Sequence, residues 1–177
     1  MAGNTAFKAG IAAILVALYV GLFHVSGMLA GNEAFGGVAS IFFLPAFVRL
    51  LGFLVIGYWA IPALFLAALP CVDLGLNIAD RAIVAAFLAT GAPLGIALAA
   101  QLCKLRPSLS NLTPLRLLWL SIGSSLGNAI FYHLGLNIVG HGAAAHLATF
   151  IGDAAGTWAV IYAIKAALTL RGHKLGT

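Results

Sequence analysis

Four long stretches of this sequence carry no charged residue: between Lys8 and Glu33, between Arg49 and Asp73, between Arg81 and Lys104, and between Arg116 and Asp153. A water-soluble domain, in which roughly one residue in four is charged, has no such gaps. Here 7% of residues are charged and 63% are hydrophobic, and the mean hydropathy is +1.10. Lipid is therefore the expected solvent. A spanning helix needs about 20 mostly apolar residues, so 177 residues leave room for about six spans and no separate soluble domain. The apolar runs are continuous, whereas a transmembrane barrel alternates in pieces of about ten residues. The fold class expected is all-α: a polytopic membrane protein of six transmembrane helices, the whole of 1–177 forming one integral membrane domain.

The expected spans lie at about 8–29, 39–57, 58–76, 81–103, 113–138 and 143–168. Lys8 followed by AGIAAILVALYVGLF has the outline of a secretory signal, with small residues near Ala30; it is read here as the first span. GNEAFGG (31–37), CVDLGLNIAD (71–80), KLRPSLSNLTP (104–114) and NIVGHG (137–142) are the polar breaks. The second and third spans are separated only by a tight turn at Gly57-Tyr58-Trp59, whose aromatic rings suit the headgroup level.

Basic residues give the orientation. With the N-terminus inside, Lys8, Lys104, Arg106, Arg116, Lys165, Arg171 and Lys174 collect on the cytoplasmic side and Arg81 alone outside. By the positive-inside rule both termini are cytoplasmic. The expected location is a bacterial cytoplasmic (inner) membrane, multi-pass. The net charge of +5 reports this bias, and no nucleic-acid partner is expected.

Arg49 lies inside the second span. Charge near the bilayer centre costs about 2.5–3.5 kcal/mol on insertion scales, so a partner is expected. One acid falls inside a span: Asp153, in the sixth. At 1.5 Å per residue both lie about 12–15 Å below the outer face. Matched depth predicts that the second and sixth helices are neighbours and that Arg49 pairs with Asp153. Such a pair serves either as a switch or as a device that fixes helix packing.

Three Gly-xxx-Gly pairs fall within spans, Gly91/Gly95, Gly123/Gly127 and Gly152/Gly156. They suit close helix packing. Pro45, Pro62 and Pro93 are also intraspan, each a potential kink.

His24, His133, His141 and His146 all fall toward the outer face, and together they are the candidates for metal or pigment ligation or for sensing pH. The spacing in HGAAAH does not put its two histidines on one helical face, and the paired histidines of a two-haem cytochrome are missing. Cys71 and Cys103 lie at opposite faces and are not expected to pair. GSSLGNA lacks the strand-turn-helix setting of a nucleophile elbow, and no acidic pair, phosphate loop or HExxH occurs. No enzyme is expected. Nothing requires a cofactor, and bound lipid is expected.

The stretch LPAFVRLLGFLVIGYWAIPALFLAAL (44–69) resembles the membrane-associated sensor domains (MASE-type) at the N-termini of bacterial histidine kinases and diguanylate cyclases. The shared pattern is Pro45, Arg49, Gly57, Tyr58, Trp59 and Pro62, with a closing Gly152-Asp153-x-x-Gly156. The resemblance covers about 38–168. It implies a sensor-like domain; the sequence stops at Thr177, so no output domain is expected. Function then lies in binding, with another integral membrane protein as partner. Two alternatives stand beside this: an accessory or scaffold subunit of a respiratory or photosynthetic complex, and a small-molecule-binding transporter component, for which Asn32, Asn77, Asn128 and Asn137 are the polar residues toward the outer face.

Overall fold

The structure is a computed structural model that describes residues 2–30, 42–106, 109–141 and 145–174. The described residues are helical throughout their ordered elements: α1 (Ala2–Ala30), α2 (Pro45–Ile56), a 3-10 turn (Gly57–Trp59), α3 (Ala60–Ala68), α4 (Ile78–Leu102), α5 (Pro114–Ile138) and α6 (His146–Lys174). Among the described residues four stretches are long and apolar enough to cross a bilayer: Thr5–Leu29, Pro45–Ala68, Ile78–Leu102 and His146–Thr169. These mark the chain as a helical membrane protein.

Six spans are expected from the sequence, and the differences have physical causes. Pro45–Ala68 folds back on itself at Gly57, whose φ of 61° and ψ of −137° are open only to glycine. A Cβ on Gly52 would lie 3.5 Å from the Ala60 Cβ, whereas eight residues of straight helix span about 12 Å. The two arms are short. α2, with 12 residues, is about 18 Å long, and α3, with 9, is about 13 Å, against about 30 Å of hydrocarbon. In the described part of the expected second span, 42–57, helix begins at Pro45, and the expected third, 58–76, is α-helical from Ala60 to Ala68. The expected loop at 31–37 and Asn32 lie outside the described residues. α5 has 25 residues, but Ser121, Ser124, Ser125, Asn128 and His133 lower its hydropathy, and it is not among the four.

Local chemistry sets the helix ends. Asn77 caps α4 by accepting from the Asp80 N–H at 3.0 Å, and Thr113 caps α5 by accepting from the Arg116 N–H at 3.3 Å. Pro45 and Pro62 occupy the first turns of α2 and α3, where a missing N–H costs nothing. Only Pro93 lies deep inside a helix. Between α4 and α5, the Asn111 side chain accepts from the Arg106 N–H and donates to the Lys104 carbonyl.

Consecutive helices pack antiparallel. α4 and α5 meet on glycine: Gly91 opposes Gly127, and Gly95 opposes Gly123. A Cβ on Gly123 would lie 2.6 Å from the Gly95 carbonyl oxygen and 2.7 Å from the Ala99 Cβ, so the backbones touch as small-xxx-small packing allows. α3 and the chain after it pack on α4 through Ala68, Val72, Leu76, Val84, Ala85 and Leu88. α1 covers the α2–α3 hairpin through Leu15 and Tyr19. α2 is the hub and touches every other helix.

Candidate functional site

The charge at the centre of α2 organises the site. Arg49 is 2% exposed and Asp153 is 2% exposed. The Arg49 Nη1 donates to Asp153 Oδ2 at 3.1 Å, so the pair is an ion pair sealed from solvent. The Nη2 donates to the Tyr19 hydroxyl at 2.8 Å. The guanidinium carbon also lies 4.8 Å from the Phe43 ring centroid and 5.5 Å from that of Tyr19, within cation–π range. Across the seam, Asn128 Nδ2 donates to the same Asp153 oxygen at 2.5 Å. One network thus ties α1, α2, α5 and α6 together. A charge in this setting persists because its counter-charge and donors share the same enclosure.

The chain before α2 shapes this enclosure. The Phe43 N–H donates to the Gly152 carbonyl of α6 at 3.0 Å, and Ser26 of α1 accepts from the Leu44 N–H at 2.9 Å. A Cβ on Gly156 would run into the Phe43 backbone. The Gly152/Gly156 pair, expected to admit a second helix, instead admits a non-helical strip of chain. This is how α2 begins beside α6 with Arg49 one turn below.

Polar residues continue along the α5–α6 seam. Trp158 donates to Ser121 Oγ at 3.0 Å, and Ser121 in turn donates to the Leu118 carbonyl at 2.8 Å. His133 Nε2 lies 3.2 Å from Thr149 Oγ1. On α6 the polar side chains His146, Thr149, Asp153 and Thr157 recur at steps of three or four, forming one stripe. On α5, Ser121, Ser125 and Asn128 do the same.

Of the four candidate histidines the structure brings together two, His133 and His146. His133 is buried and its ring centroid is 3.9 Å from that of His146, with 43° between the planes. His24 is exposed on α1 and packs against its neighbour Phe23. His141 is exposed and its Nδ1 approaches the Val139 carbonyl at 3.3 Å. Among the described residues no group of three or more His, Cys, Asp or Glu side chains is placed to hold a metal. Asn77 is spent on capping α4. Asn137 sits in the last turn of α5, and Asn128 belongs to the Arg49 network. Cys71 and Cys103 are free thiols. Arg81 pairs with Asp73 at the other charged locus.

Two contributors were not singled out from sequence. Tyr19 is a tyrosine in mid-helix, away from the headgroup level where tyrosine is common; that displacement was its signal. The seam residues carried theirs in the three-to-four spacing of hydroxyl and amide side chains on the last two helices.

No protein-family model, curated protein or solved structure matches this chain.

Proposed function

We propose that the protein is a non-enzymatic, sensor-like docking protein of a bacterial cytoplasmic membrane, acting by binding a partner integral membrane protein. In this reading six helical segments alternate across the bilayer and both termini are cytoplasmic. The basic residues near the helix ends support the orientation. Lys8 Nζ lies 5.8 Å from the Trp59 ring, which puts the α2–α3 turn on the same side as the start of α1. The likeness of 44–69 to membrane-associated sensor domains supports the class of role.

The observation that carries the proposal is the Arg49–Asp153 pair with Tyr19 and Asn128. It joins four helices through one buried ion pair, the carboxylate holding α2, α5 and α6 and the guanidinium adding α1, so a change at any one helix changes the balance at the others. Such a centre converts a small local event into a helix rearrangement, because packed interfaces have discrete rather than graded alternatives. A partner docked on the bundle would read that rearrangement.

The test is purification of the tagged protein from native membranes in mild detergent, with mass spectrometry of what accompanies it. A stoichiometric membrane partner, lost from Asp153→Asn while that variant keeps its wild-type elution volume, supports the proposal. A lone protein from both sources contradicts it.

One observation favours a second reading, a small-molecule-binding transporter component. α2 is a short helix whose N-terminus starts between α1 and α6, and discontinuous helices often build transporter sites near the bilayer midplane. A specific small molecule retained by the purified protein, with no protein partner, would select this reading.

A further inference from the structure

We infer that the α5–α6 seam holds internal water around Asp153 and exchanges protons with that carboxylate through it. Three buried oxygens in this seam have no hydrogen-bond partner: Ser125 Oγ, Asn128 Oδ1 and Thr157 Oγ1. Their residues are 1%, 2% and 1% exposed. Buried polar atoms are almost always paired, with protein or with ordered water. These three are neighbours by register. Asn128 bonds Asp153 and Ser121 bonds Trp158, so in the antiparallel pair Ser125 comes opposite the Ala155–Gly156 level, next to Thr157. Ser125 lies one turn from Asn128, and Thr157 one turn from Asp153.

The charges nearby decide the ligand. Arg49 already neutralises Asp153 at 3.1 Å and repels a second cation. The Asp153 carboxylate repels an anion. A neutral ligand that both donates and accepts is required, and it must be small because the oxygens are enclosed. Water meets each condition. The same seam continues past Asp153 toward the other end through Thr149, one turn away on α6 and about 6 Å along the axis. Thr149 Oγ1 meets His133, and exposed His146 stacks on that ring.

The proton-accepting group is Asp153. It is faced by Arg49 of α2, by Asn128 of α5 and, within electrostatic reach, by Tyr19 of α1 and Tyr132 of α5. A proton taken from water adds to the carboxylate; no other bond forms or breaks. Arg49 then keeps Tyr19 and the two aromatic faces but loses its counter-charge. This inference rests on the reading of the pair as a signalling centre and extends it by naming the signal as proton activity.

Infrared difference spectroscopy of the full chain, oriented in liposomes, tests it. Acidification should raise a carboxylic-acid C=O band that shifts in deuterated water and is missing from Asp153→Asn. Ser125→Val and Thr157→Val, which remove the water-holding oxygens, should slow the deuterium shift. No Asp153-dependent band in the wild type overturns the inference, whatever the variants do. An unslowed shift in folded variants also overturns it. Partner co-purification is read separately, so these failures leave the docking proposal standing.

Discussion

Asp153 Oδ2 lies 3.1 Å from Arg49 Nη1, across 104 residues of sequence. Only two helices bring these residues together, and neither could bury its charge alone. The sequence distance is what makes the contact informative. It binds the α2–α3 hairpin near the start of the chain to the last helix, through a bond formed where water cannot compete.

Tyr19 supplies the second anchor of the guanidinium. Tyr19→Phe removes the hydroxyl that accepts from Nη2 and leaves the ring for cation–π contact. Hydrogen bonds to charged groups contribute about 1.5–3 kcal/mol in general, and those measured between membrane helices average nearer 0.6. A loss of about 1–2 kcal/mol is expected, measured by unfolding in mixed micelles. Loss of the whole ring in Tyr19→Ala should cost distinctly more.

Gly156 holds the strip of chain that leads into α2. Gly156→Ala puts a methyl against the Phe43 backbone, which is less able to yield than a side chain. Overpacking of this kind costs about 1–3 kcal/mol. Gly21→Ala, where a Cβ meets nothing within 4 Å, is the control and should leave the unfolding midpoint unchanged. Equal midpoints for the two variants would show that the strip is held by something other than Gly156.

Gly57 turns the hairpin. Its backbone, at φ 61° and ψ −137°, lies in a region kept for glycine, and forcing a residue with a Cβ into such a conformation costs about 1–3 kcal/mol. Gly57→Ala should lower stability by that amount although a Cβ there meets no neighbour within 4 Å. Thermal unfolding in detergent gives the answer. A neutral result would mean that the turn accommodates another conformation.

Much of this arrangement could be read from the residues. Two lone intramembrane charges at matched depth gave the Arg49–Asp153 contact, and the Gly91/Gly95 and Gly123/Gly127 spacing gave the helix pair that meets on them. Helix length was harder. Hydropathy alone does not distinguish a straight span from a hairpin, so 39–57 and 58–76 read as full spans although Gly57 reverses a much shorter helical pair. Gly152/Gly156 misled for a related reason: absence of Cβ signals close approach, but not whether a helix or an extended strip approaches. The stacked His133 and His146 were out of reach, because they sit on different helices and only the crossing of α5 and α6 sets their separation.

The most direct measurement is a double-mutant cycle on the buried pair, using Arg49→Met, Asp153→Leu and the double variant in mixed-micelle unfolding. Removing one partner leaves the other charge uncompensated, which costs about 3–5 kcal/mol for buried pairs, while an apolar replacement of both is often close to neutral. The expected result is two severe single variants and a double variant that recovers most of the loss, with a coupling well above the roughly 0.6 kcal/mol typical of membrane hydrogen bonds. Additive losses with no coupling would contradict the claim that Arg49 and Asp153 neutralise each other within the bundle.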